Sequence, residues 1–399
     1  MNIRGACPSV AAPMQTGDGL LARIISNEPM AIDDLCSLCE AAQAHGNGIV
    51  EVTQRGSLQV RGLTQASAPS FTNLVNSLGV GADSSPPLLT SPLFGLDANE
   101  PFDSTWLVSQ LRATLQGGRA DLEGLGPKVS VLIDGGGTLS LDAVPADIRL
   151  VATSNSLFKL SLAGDASTAF FVGYVSMNRV TASVEDLLHL IASGGPTFRA
   201  RDVLTKLTLR STPPHTRPPC EPIGTHPLKD GTVARGVALP FGHTTAEALR
   251  RFAQSAAGYG AKGIRPAPGR SLLAIGLSQE SANKLCASAA NEGFVIDAND
   301  ARRHVVACAG TPACASARLP TRQLAPEVAR AARMLVGTSN VVHLSGCSKG
   351  CAHPGPAAVT IVGPDRIVVN GRASDTPRAT VSSAGLIADI ERLCSKFTP

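Results

Sequence analysis

At 399 residues the chain is long for a single hydrophobic core, and two or three domains are expected. The composition is globular, 43% hydrophobic and 17% charged, and a net charge of +4 on scattered basic residues argues against a nucleic-acid partner. No apolar run approaches the roughly 18 residues of a spanning helix, and Met1–Gly5 hold an arginine but no apolar signal core, so a cytoplasmic location without membrane contact is expected.

In chain order, Leu20–Ile25 reads as a strand. Ile32–Ala44 reads as a helix, with Asp33 and Asp34 at its start and Gly46 past its end. Ile49–Val52 is a second strand, Arg55-Gly56 a turn, and Leu58–Leu63 a third strand by its alternation. Ser84–Pro92 is a linker candidate. Ser104–Gln116 is an amphipathic helix. Lys128–Asp134 and Leu139–Asp142 suggest a hairpin around Gly135-Gly136-Gly137, and Val184–Ala192 a further helix. The Pro-rich run Ser211–Pro222 is the stronger linker candidate. Beyond it, Thr245–Ala257 is a helix and Ile264 starts a strand. Val305–Ala307, Val341–Leu344 and Ala358–Val362 read as strands, and Pro326–Val336 as a helix.

Two stretches of this map repeat. Asp18-Gly-Leu-Leu-Ala-Arg23, Gly46, Arg55-Gly-Ser-Leu58 and Gly62-Leu63 match Asp230-Gly-Thr-Val-Ala-Arg235, Gly260, Gly269-Arg-Ser-Leu272 and Gly276-Leu277. The offset is 212 at Asp18/Asp230 and 214 at Leu63/Leu277. A near-constant offset over such a span implies duplication of a strand–helix–strand–turn–strand unit, half of a ferredoxin-like sandwich.

The chemistry is concentrated in the ten cysteines. Cys308-Ala-Gly-Thr-Pro-Ala-Cys314 is followed by Cys347-Ser-Lys-Gly-Cys351: two short-gap pairs in glycine-containing loops. Gly310, Gly346 and Gly350 let the backbone turn tightly and aim amides at sulfur. Four thiolates suit a 4Fe–4S cluster. Structural zinc also takes four cysteines, but its pairs are usually closer than Cys308 and Cys314. Cys36-Ser-Leu-Cys39 lies on a helix face with no second pair, so packing is expected there, with redox use the alternative. Cys7, Cys220, Cys286 and Cys394 are isolated and read as inert. The eight histidines show no facial-triad spacing. His215, His226 and His243 flank the second copy, and His343 and His353 flank the cysteines, where His353 could tune a cluster or touch a substrate.

The cysteine spacing and the internal repeat resemble those of the sirohaem-dependent sulfite and nitrite reductases. Arg4-Gly-Ala-Cys-Pro-Ser-Val, Pro13-Met-Gln-Thr-Gly-Asp-Gly-Leu-Leu-Ala-Arg23 and Thr53-Gln-Arg-Gly-Ser-Leu-Gln-Val-Arg-Gly62 are similar to the precorrin-3B synthase branch of that family, over nearly the whole chain. The resemblance implies an α+β, duplicated nitrite/sulfite reductase-like fold. Two ferredoxin-like half-domains (1–85 and 223–298) would be joined to two α/β domains (100–210, and 300–399 with the cluster) by pseudo-two-fold symmetry.

The resemblance further implies an O2-dependent monooxygenase of aerobic cobalamin biosynthesis. It would hydroxylate a meso carbon of precorrin-3A and close a γ-lactone to give precorrin-3B. A 4Fe–4S cluster on Cys308, Cys314, Cys347 and Cys351, a mononuclear non-haem iron and NADH as electron source go with that activity. Sirohaem-dependent sulfite or nitrite reduction is the alternative, and a non-catalytic cluster- or tetrapyrrole-carrying protein a third reading. No Gly-x-Gly-x-x-Gly joins a strand to a helix, so a separate electron-transfer partner is expected.

A polycarboxylate tetrapyrrole calls for arginine and lysine. By resemblance Arg55 and Lys128 match tetrapyrrole-binding positions, Arg61 lies on the following strand, and Arg265 and Arg270 are the second-half copies of this region. The chain departs from the reductases at Ser85-Pro-Pro-Leu-Leu-Thr90 and at Ser130, where they carry an arginine and a second lysine.

Overall fold

The computed structural model describes residues 8–80, 87–116, 122, 124–154, 156–204, 217, 221–353, 355–380 and 385–397. Cys7, Cys220, His215 and most of the Ser211–Pro222 linker lie outside them.

The first quarter of the chain runs β1 (Met14–Thr16), β2 (Gly19–Ile24), α1 (Ile32–His45), β3 (Ile49–Val52), β4 (Leu58–Leu63) and α2 (Ala68–Ser77). The second holds β5 (Leu88–Thr90), α3 (Thr105–Gln116), β6 (Val131–Asp134), β7 (Ala146–Ala152), β8 (Leu157–Gly164), β9 (Phe170–Ser176), α4 (Val180–Ala192) and α5 (Ala200–Leu204). The third holds β10 (Gly224–Pro227), β11 (Val233–Ala238), β12 (His243–Thr245), α6 (Ala246–Gly258), β13 (Gly263–Ala267), β14 (Ser271–Leu277) and α7 (Gln279–Asn291). The last holds β15 (Val305–Ala307), α8 (Thr321–Ala331), β16 (Val342–Ser345), β17 (Ala357–Val362), β18 (Arg366–Gly371), β19 (Ala379–Thr380) and α9 (Leu386–Cys394).

Two antiparallel sheets form the centre, ordered β1-β2-β4-β3-β12 and β10-β11-β14-β13. Each half lends the segment ahead of its helix to the other. His243–Thr245 pair with Glu51–Ile49 of β3, and Met30 bridges Ile264 of β13. Local chemistry starts the helices, at α1 and α6 where the sequence suggests and at α7 besides. Asp33 and Asp34 sit at the positive end of α1, and Thr245 and Ser278 cap α6 and α7 by accepting from Ala248 N and Ser281 N, each at 3.1 Å. Leu35, Leu38 and Phe71 of the first half and Leu249, Phe252 and Phe294 of the second belong to one buried core. Cys39 is in it too, and burial pushes its thiol up to about 12, so it packs rather than reacts.

Two mixed sheets flank the centre with the same internal pattern. In β5-β6-β7-β8-β9 and in β15-β16-β17-β18-β19 the first three strands are parallel and the last two antiparallel. Their parallel strands are buried on both faces, as in Val131–Asp134 and Ala357–Val362.

Three sequence expectations are corrected. The segment after β6 is not a hairpin, because both neighbours of β6 are parallel strands. The Asp134 carboxylate instead gathers the chain into a loop by accepting from Gly136 N (2.9 Å) and Leu141 N (2.8 Å). Leu139 and Leu141 alternate because they fill separate apolar clusters, not because they pair. The helix expected over Pro326–Val336 begins a turn earlier, at Thr321, and takes Pro326 inside it, ending in a short 3-10 turn at Arg333–Leu335. One missing N–H is tolerated there because Ala325, Val328 and Ala329 still bury a continuous face. The candidate linker Ser84–Pro92 contains β5, an edge strand, where a preceding proline disrupts no ladder.

Candidate functional site

The cysteine loops leave the carboxyl ends of β15 and β16, neighbouring parallel strands, which delivers both pairs to one edge. Cys308 N donates to Leu344 O at 3.1 Å, and Cys308 Sγ accepts from Gly346 N at 3.1 Å. Gly310 has φ +66, and a Cβ there would meet Thr321 Oγ1 at 2.3 Å, so only glycine turns this corner. Cys314 N then donates to Gly310 O, and Ala315 N reaches across to Gly17 O at 2.9 Å. A Cβ on Gly17 would lie 2.2 Å from Cys314 Sγ, so the β1–β2 turn presses directly on that sulfur. Ser345 Oγ donates to Cys347 O at 2.7 Å, folding the second loop. Cys351 is at the exposed lip. Desolvation, then the thiols of Cys347, Cys308 and Cys314, push its own thiol up, with Arg61 opposing. All four sulfurs therefore share one electrostatic neighbourhood.

Among the described residues no three His, Cys, Asp or Glu side chains converge on a point the size of a single metal ion. Cys347, Cys308 and Cys314 act electrostatically on Cys351, and the two loops leave neighbouring strands, so the four thiols belong to one edge of the sheet.

Around these loops the first central sheet supplies a charge network. Arg61 binds Asp18 at 2.7 and 2.8 Å and Glu51 at 3.2 Å, and Glu51 also accepts from Arg322 at 2.9 Å. Arg61 is thus committed to protein carboxylates. Arg270 is different. Its backbone is left-handed (φ +62), and its guanidinium, without a hydrogen-bond partner among the described residues, is pushed down to about 10 by burial and then by Arg303. It acts electrostatically on His343 and His353. The His343 ring is fully buried with neither nitrogen bonded, 5.7 Å from the His353 ring. Burial, His353 and Arg270 push His343 down to about 3, so it is a neutral imidazole. His243 Nδ1 is likewise unpaired, beside Arg322. His226 and His304 bond backbone carbonyls of Pro222 and Asn340. The sequence presented each histidine as isolated; the trio His343, His353 and Arg270 exists only in the fold.

Arg55, exposed at its turn and bridged to Pro268, lines two cavities. One is a recess of about 20 Å³ walled by Arg265, Ser57, Thr90 and Asn27. The other, about 220 Å³, is lined by Ser130, Asp147, Arg199 and Arg201. Lys128 is exposed two residues before Ser130. Arg199 and Arg201 were not singled out from sequence. Arg199 is held by Asp147 at 2.6 and 2.9 Å, and nothing local signals that pairing. The five sequence-derived cations thus divide: Arg61 acts on Cys351, Arg270 on His343 and His353, Arg55 and Arg265 line the recess, and Lys128 lies two residues before Ser130.

No protein-family model matches the chain. It is 37% identical, over 98% of its length and 88% of the relative's, to a precorrin-3B synthase from Sinorhizobium sp. It is 23% identical, over 82% of its length and 73% of the relative's, to a ferredoxin–nitrite reductase from Synechococcus elongatus. Its fold matches the solved structure of the Mycobacterium tuberculosis NirA protein with a TM-score of 0.73 at 17% identity, covering 94% of this chain and 80% of that one.

Proposed function

Because this chain belongs to the precorrin-3B synthase family, we propose that it converts precorrin-3A to precorrin-3B as an O2-dependent monooxygenase of aerobic cobalamin biosynthesis. One oxygen atom of O2 enters the meso carbon and the other leaves as water. NADH supplies the two electrons, the substrate's acetate closes the γ-lactone, and a separate reductase delivers the electrons, since no dinucleotide loop follows a described strand. The observation that carries the reading is the meeting of four thiols at the ends of β15 and β16 with a cationic, histidine-lined wall beside them.

Cys308, Cys314, Cys347 and Cys351 would hold a 4Fe–4S cluster, which when bound relays single electrons. The amide of Gly346 donates to Cys308 Sγ at 3.1 Å and orients that sulfur. Arg270, His343 and His353 would face the macrocycle, with His343 neutral throughout the physiological range. Arg55 and Lys128 would engage carboxylate arms. A mononuclear iron remains part of the family reading, and no convergent three-ligand set for it exists among the described residues. The duplicated reductase-like frame, with domains at 1–85, 100–210, 223–298 and 300–399, belongs to the same proposal.

Anaerobic purification tests it by iron and acid-labile sulfide analysis, tetrapyrrole extraction, and O2-dependent turnover of precorrin-3A with NADH and a reductase. About four sulfides per chain without sirohaem, and a lactone product, are expected. Stoichiometric sirohaem with sulfite or nitrite reduction would instead favour the reductase reading.

A further inference from the structure

The two central sheets carry opposite charges at matching positions. Glu51 on β3 faces Gln59, one residue past Leu58 in Ser57-Leu58; Arg265 on β13 faces Leu273, one past Leu272 in Ser271-Leu272. The Glu51 carboxylate is met by Arg61 and Arg322. Among the described residues Arg265 makes no hydrogen bond to a carboxylate; Glu28 and Glu100 act on it only through charge. Its side chain is 2% exposed and NH2 donates to Thr90 Oγ1, but Nε and NH1 have no partner among the described residues. A buried guanidinium with two idle donors is costly unless an anion meets it.

Space for that anion adjoins it. Arg265 and Thr90 form walls of the small recess, Ser57 and Asn27 add polar groups, and the exposed Arg55 stands at its edge. About 20 Å³ admits an oxygen or two but no ring. We propose that this recess is a socket for one carboxylate arm of the tetrapyrrole, taken by the idle Nε and NH1 of Arg265 and by Arg55 at the mouth, while the macrocycle stays outside. The proposal rests on the tetrapyrrole reading above and adds a specificity device to it. A planar two-pronged donor suits a carboxylate, and a ring lacking that arm leaves both donors idle.

The same chemistry could come from a free small anion, so the test separates the two sources. Holoprotein is titrated by absorbance with the iron-free, polycarboxylate ring of sirohaem, and with its methyl ester. The wild-type chain, Arg265→Lys, Arg265→Met and, as control, Arg251→Gln are compared, each checked for cluster absorbance and circular dichroism. Wild-type protein is expected to bind the acid form. Arg265→Lys should weaken it about tenfold and Arg265→Met about a hundredfold, with Arg251→Gln unchanged. Acetate or chloride should compete with the ring. Equal ring affinity in wild-type, Arg265→Lys and Arg265→Met overturns the socket and leaves the tetrapyrrole reading standing. If acetate or chloride raises only the wild-type melting temperature and ring affinity is untouched, the recess is an ion site. Absence of ring binding by the wild-type chain overturns the socket and that reading together.

Discussion

The two mixed sheets share one backbone plan and hold opposite chemistry at the same corner. After β5, Ser91 N donates to Ile133 O at 3.2 Å, and Ser91 Oγ accepts from Gly135 N at 3.3 Å. After β15, Cys308 N donates to Leu344 O and Cys308 Sγ accepts from Gly346 N, each at 3.1 Å. A hydroxyl stands where the other sheet has a sulfur. The central sheets extend the contrast. Gly17, by the repeat offset, matches Lys229. Gly17 leaves room for Cys314, whereas Lys229 binds the buried Glu100 at 2.8 Å, and Glu100 also accepts from Gly95 N. Asp97 seals the same corner by accepting from Thr138 N and Asn99 N. One corner is open and thiol-lined; the other is closed by ion pairs and carboxylate caps. The lesson is that a scaffold fixes where a site can be, and a handful of side chains decide whether it is one.

The comparison breaks most sharply at the sulfurs. Cys347→Ser is expected to abolish acid-labile sulfide, visible absorbance and turnover, while Ser91→Ala leaves all three intact. Cluster retention after Ser91→Ala well below wild-type would mean that the corners are not independent. Next, Gly17→Ala drives a methyl into Cys314 Sγ. An overpacking cost of about 1–3 kcal/mol should appear as cluster lost on dilution or chelation, with the polypeptide still folded by circular dichroism. Lys229→Met, at the matching position, should spare the cluster and lower stability. It leaves Glu100, 1% exposed, without its cation, at about 3 kcal/mol, the low end for such a pair because Lys229 is itself 38% exposed. Urea denaturation followed at Trp106 reads that loss; an unchanged midpoint would deny that the ion pair closes this corner.

The smallest expected effect is acid sensitivity at the open corner. Burial acts to raise the Asp18 pKa, but hydrogen bonds and charge from Arg61 outweigh it, and the carboxyl ends below its ordinary value. A depressed folded pKa contributes stability above the unfolded value and loses it as pH falls through the folded one. Asp18→Asn should therefore be less stable than wild-type at pH 6, with the difference shrinking below about pH 4. A difference that persists at pH 3 would assign Asp18 a purely steric role.

What could be read in the amino-acid order was local. The α1 and α6 helices, the turns at Arg55-Gly56 and Gly269-Arg270 and the paired cysteine loops follow from short spacings, because caps, glycine turns and closely spaced thiols act over a few residues. The repeat, too, was legible as a constant offset. Other features were invisible for the opposite reason. The parallel pairing of β6 depends on β5 and β7, far along the chain, so its loop imitated a hairpin. Arg61 looked like a substrate cation until Asp18 and Glu51 folded onto it. His343 and His353 come within electrostatic reach of Arg270 only in the folded chain. Sequence determined the strands and turns of the repeated unit and the thiol loops, since those obey near-neighbour rules; it missed β5, β7, β8, β9 and β18. Tertiary structure alone decided which buried groups are hydrogen-bonded and which, like Arg265, keep idle donors, because a buried group's partner is set by whatever distant segment packs beside it.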